Sequence, residues 1–201
     1  MKTHVHGDQT VAGDGGWRRN RLRVAAWTAA ALLLLLPLIA MQFTDEVVWG
    51  VGDFATFGAL LLAVGLPYEL AVRKTGDSAY RAAVGVALVA AFLLVWINLA
   101  VGIIGNEGDP ANLMYVVVLA VGVIGAVIAR FRPHEMACAL VATALAQASV
   151  AVVALSARLG SPESGPLEIV TLNGFFAALF VGSALLFQKA ARGRLARGAI
   201  R

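Results

Sequence analysis

The sequence is short of the residues that most catalytic and metal sites require. A single cysteine, Cys138, rules out an intrachain disulfide and any cysteine-based zinc or iron–sulfur site. Of the three histidines, His4 and His6 lie in the N-terminal segment and His134 follows Pro133 in a short loop. Two tail imidazoles without a third ligand are ordinary solvated residues. There is no P-loop, no HExxH, no nucleophile elbow and no Ser, His, Asp set, so no enzyme is expected. Charge is also scarce, at 14% Asp, Glu, Lys and Arg against about 25% in ordinary soluble domains.

What is abundant is apolar surface: 60% of the 201 residues are hydrophobic, and the mean hydropathy is +0.81. The net charge of +4 and a pI near 9.7 do not indicate a nucleic-acid partner. The basic residues sit at the ends of apolar runs, which is the pattern a lipid bilayer imposes. A spanning helix needs about 20 mostly apolar residues. Uncharged runs of about that length cover 24–43, 82–104, 113–129, 136–157 and 169–188. The run 54–68 is shorter and reaches full length by admitting Asp53 or Glu69, with Arg73 placed four residues after Glu69 for an ion pair at a helix end. The expected fold is therefore all-α, an integral membrane bundle of six transmembrane helices. A disordered cytoplasmic tail is expected over 1–20, the helical domain over 21–190, and a basic cytoplasmic tail over 191–201.

Lys and Arg accumulate on the cytoplasmic side of membrane proteins. With six spans and both termini inside, every one of the sixteen Lys and Arg residues except Arg158 falls on that side. The outer loops then carry Asp45, Glu46, Asp53, Glu107, Asp109, Glu163 and Glu168. The competing reading of the first run is a signal peptide, with RRNRLR as its charged region; Leu38-Ile39-Ala40 lacks the small residue expected at position −3. A retained first span is expected.

No Lys lies within a span, which excludes a retinal Schiff base, and no His does, which excludes intramembrane haem ligation by histidine. No cofactor is expected. Span centres without carboxylates argue against a proton pump. Small residues mark helix contacts in membranes. They recur as Ala55, Ala59 and Ala63 in the second span and as Gly174, Ala178 and Gly182 in the sixth, and the Ala-rich fifth span is expected to be enclosed by its neighbours. LAVGIIG at 99–105 and LAVGVIG at 119–125 read as packing surfaces on two adjacent helices. Gln147, alone near the middle of the fifth span, needs a hydrogen-bond partner, for which Thr143, Ser149 and Ser183 lie at suitable depth.

Polar residues gather toward the outer end. Asp53, Asn98, Glu107, Asn112, Tyr115 and Asn173 form a candidate polar site, suited to a cation or small polar solute because hard cations prefer oxygen ligands. The structural reading of the same residues is that Asp109-Pro110-Ala111-Asn112 is a turn and helix cap, and that Trp96 and Tyr115 are interfacial anchors.

The stretches AFLLVWINLAVGIIGNEGDPANLMY (91–115), IARFRPHEMACALVATALAQ (128–147) and FFAALFVGSALLFQKAAR (175–192) resemble an uncharacterised family of small multi-span bacterial inner-membrane proteins. The resemblance runs from about Trp49 to Arg192 and implies a bacterial inner membrane and a compact helical domain. It implies no activity, cofactor or catalytic residue. The expected partners are the lipid bilayer and, through the small-residue faces, a homo-oligomer or another integral membrane protein. The alternative is a small-solute or ion transporter using the polar site.

Overall fold

The computed structural model describes residues 14–45, 47–160 and 164–198. They form six helices: α1 (Asp14–Ala40), α2 (Val51–Lys74), α3 (Ser78–Ala100), α4 (Met114–Ile128), α5 (Pro133–Ser156) and α6 (Pro166–Gly198), with one 3₁₀ turn (Pro110–Leu113) leading into α4. No strand occurs among the described residues. All six helices, α4 together with its 3₁₀ turn, are long and apolar enough to cross a membrane. α2 takes in both Asp53 and Glu69, and the Arg73 Nε to Glu69 Oε1 distance of 2.9 Å makes the expected pair.

Some boundaries differ from expectation. Residues 14–20, expected in the tail, are helical: the arginines that follow Trp17 are good helix formers continuous with the apolar run, and the helix extends through Gly15 and Gly16 against their propensity. Residues 1–13, with His4 and His6, lie outside the described residues, as do Glu46 and Glu163. α6 continues past 190 to Gly198. At 33 residues it is about 50 Å long, against a hydrocarbon core of about 30 Å, so its basic last turns extend beyond the bilayer.

The chain divides into two compact units, Met1–Gly65 and Leu66–Arg201. In the first, α1 and the first part of α2 meet through glycines: a Cβ at Gly65 would lie 3.0 Å from the Trp27 ring, and one at Gly58 would lie 3.9 Å from Leu34. Ala55, Ala59 and Ala63 are exposed instead. Trp49 packs edge-on against Phe54 and Phe57, with ring centroids 5.2 and 5.6 Å apart. The leucine run of α1 is largely exposed, as a lipid-facing helix should be.

In the second unit, α5 and α6 form the closest pair, α6 also packs on α3, and α4 packs on α5. The α4–α5 approach is set by small residues, since a Cβ at Gly125 would come 2.8 Å from that of Ala139. Met136, Leu140, Ala144, Gln147, Val150 and Ala154 line the buried face of α5 at helical spacing. Its other face is open, Leu145 being 64% exposed, so α5 is not enclosed. Its alanines permit close approach on one side, which is a different use of small size. α6 likewise buries Ile169, Phe176, Phe180 and Phe187, and leaves Gly174 and Ala178 exposed.

Candidate functional site

The expected span 82–104 ends early. Val101 caps α3, and Gly102 and Gly105 take positive φ of +75° and +68° in the loop to the 3₁₀ turn. A Cβ at Gly102 would sit 2.4 Å from the Asn106 carbonyl, so glycine is required there by both conformation and space. The two LAVG strings thus play different parts: Gly122 and Gly125 pack a helix, whereas Gly102 and Gly105 turn a loop.

Asn112 holds that loop. It is 5% exposed, and its Oδ1 accepts from the Ile103 and Ile104 N–H groups at 3.1 and 3.0 Å. Its Nδ2 donates to the Ile104 and Asn106 carbonyls at 3.0 and 2.7 Å. The amide is saturated by backbone that no helix satisfies. Asp109 caps the 3₁₀ turn through the Ala111 N–H at 2.8 Å. The α5–α6 loop closes on the same place: Gly105 N–H donates to Ser164 Oγ at 2.9 Å, and a Cβ at Gly160 would lie 2.7 Å from the Gly105 nitrogen.

A second cluster lies deeper. Asn173 Oδ1 accepts from Tyr115 OH at 3.2 Å and from Gln147 Nε2 at 2.9 Å, while its Nδ2 donates to the Ile169 carbonyl at 2.8 Å. Gln147 and Asn173 are 0% exposed and Tyr115 2%, so one amide oxygen ties α4, α5 and α6 together in the core. Gln147 Oε1 is buried without a hydrogen-bond partner among the described residues. Gln147 therefore makes the expected interhelical bond with a different partner. Thr143 and Ser149 donate to carbonyls of their own helix, and Ser183 donates across to Ala83 of α3 at 2.7 Å.

Five residues of the candidate polar site lie in the second unit, where they are divided between the loop and the deeper cluster. Tyr115 and Asn173 meet in the core knot. Among the described residues Asn98 Nδ2 reaches only the Asn112 carbonyl, at 3.5 Å, and Glu107 is exposed on the loop. Asp53 belongs to the first unit, where its carboxylate accepts from the Gly50 N–H at 2.8 Å ahead of its own helix. Sequence reasoning missed Ser164 and the membership of Gln147, and the single available signal was that a buried amide must find a partner.

At the opposite end of this unit, the α4–α5 turn carries consecutive non-glycine residues in the left-handed region, Arg130 at φ +47° and Phe131 at φ +58°. Such conformations cost of order 1–3 kcal/mol each and persist only where surroundings hold them. Tyr80 OH donates to the Phe131 carbonyl at 2.9 Å, and the Tyr80 ring packs edge-on against Phe187 with centroids 5.1 Å apart.

Six apolar spans, with the core of the second unit tied by uncharged amides, define a polytopic α-helical membrane protein. Compared with protein-family models, with curated proteins and with solved structures, the chain finds no match.

Proposed function

We propose that this is a non-enzymatic protein of a bacterial inner membrane, with both termini cytoplasmic, that acts through helix association in the bilayer. The observation that carries this reading is the α6 stripe Gly174, Ala178, Gly182. A Cβ at either glycine would meet nothing within 4 Å among the described residues, and Ala178 is exposed. Small residues four apart let helix backbones approach closely, the main source of helix affinity where lipid removes the hydrophobic drive. A second copy of the chain is the simplest occupant, because the face fits its own twin about a two-fold axis along the membrane normal. Asn112 at the loop end and Asn173 in the core support the same reading, since both are spent on holding the fold.

The test is crosslinking in intact membranes. On a Cys138→Ser background, Ala178→Cys is expected to give a disulfide-linked dimer, and Ala142→Cys on the exposed face of α5 is not. If Ala178→Cys crosslinks no faster than Ala142→Cys, self-association through α6 is wrong.

A further inference from the structure

The second unit contains a cavity of about 560 Å³, in the range of small-molecule sites. It is lined by residues of α3, α4, α5 and α6 and by the last turns of α2. Its walls are apolar, formed by Leu88, Leu119, Leu140, Phe180 and Phe187 among others. Thr143 also lines it, with its hydroxyl donated to the Ala139 carbonyl at 2.9 Å.

The mouth has the opposite character. Lys74 from the end of α2, Arg130 from the strained α4–α5 turn and Arg194 from the last turns of α6 all line the cavity and are exposed. No acidic residue lines it among the described residues. Neighbouring cations are neutralised where carboxylates are available: Arg73 pairs with Glu69 at 2.9 Å and Arg132 lies 3.9 Å from Glu135. Arg194 lies 5.4 Å from the centroid of the Tyr80 ring, and the same tyrosine pins the turn that carries Arg130. Tyr80 thus contacts one of the three cations and holds the backbone turn that carries a second.

We infer that this cavity binds one anionic phospholipid, with an acyl chain in the apolar slot and its phosphate among Lys74, Arg130 and Arg194. Charge complementarity selects the occupant. A lipid without net negative charge would leave the charge of three exposed cations lining the cavity unbalanced, and a free phosphate would leave the slot empty. Basic pockets between transmembrane helices are known sites for anionic headgroups. None of Gly174, Ala178 and Gly182 lines the cavity, so lipid binding there does not depend on α6 association.

The experiment is native mass spectrometry of the full-length protein in detergent, titrated with phosphatidylglycerol or with phosphatidylcholine of identical acyl chains. One phosphatidylglycerol per chain is expected to be retained, at least tenfold more tightly than phosphatidylcholine. The triple variant Lys74→Gln, Arg130→Gln, Arg194→Gln, altered only at exposed side chains, is expected to lose that preference. Leu119→Trp, which fills the slot, is expected to lower retention of both lipids. Equal retention of the two lipids, or phosphatidylglycerol binding unchanged in the triple variant, would overturn the assignment, and the triple variant decides the matter even if Leu119→Trp fails to fold.

Discussion

Asn112 and Asn98 stand 14 positions apart and look alike in sequence, yet the structure assigns them unequal weight. Asn112→Ala strips partners from the N–H groups of Ile103 and Ile104, both buried, and an unsatisfied buried donor costs about 1–3 kcal/mol. A loss of roughly 3 kcal/mol is expected in reversible unfolding, whereas Asn98→Ala, which breaks one bond at 3.5 Å, should cost under about 0.5 kcal/mol. Comparable losses from the two variants would mean that the loop is not clamped as described. The core knot gives a second contrast. Asn173→Ala strands both the Tyr115 hydroxyl and the Gln147 amide, while Gln147→Met removes an acceptor that is already unpartnered. Gln147→Met is therefore expected to be the milder change, within about 1 kcal/mol of the parent. None of this ranking was legible in the sequence, because the partners of Asn112 are backbone groups and the side chains that bond Asn173 come from two other helices.

Helix number and order were legible, because bilayer thickness leaves few ways to place six apolar runs. Helix ends were not. The chain leaves α3 at Ala100 although Val101, Ile103 and Ile104 are as apolar as the span before them, and Ile103 and Ile104 are buried as loop residues. An uncharged run marks membrane depth, and only backbone chemistry marks where the helix stops. Gly102→Ala would force a side chain into positive φ and onto the Asn106 carbonyl, so a loss of about 1–3 kcal/mol is expected in the same unfolding assay. Gly125→Leu should separate α4 from α5 at Ala139 and cost about 1–3 kcal/mol by overpacking. Gly174→Leu on the same assay should leave the monomer's stability unchanged, since a Cβ there meets nothing within 4 Å among the described residues. The small-residue signal was thus correct in kind and ambiguous in use. The same residue types pack α4 on α5, turn a loop at Gly102, and leave an open face on α6.

For the whole molecule, the distribution of Lys and Arg predicts both termini on the cytoplasmic side. A reporter active only in the cytoplasm should work when fused after Arg201, and one active only outside should work when placed in the loop at Glu107. The cavity at the basic end was invisible in the sequence, since its lining comes from five helices and its three cations from three separate elements. The most direct measurement of the central claim is subunit stoichiometry of the protein released gently from its own membranes, without overexpression, by native mass spectrometry. A dimer at twice the 20.9 kDa chain mass is expected for the parent, and a monomer for the Gly174→Leu, Gly182→Leu double variant. A parent protein that is monomeric, or a dimer indifferent to both substitutions, would contradict it.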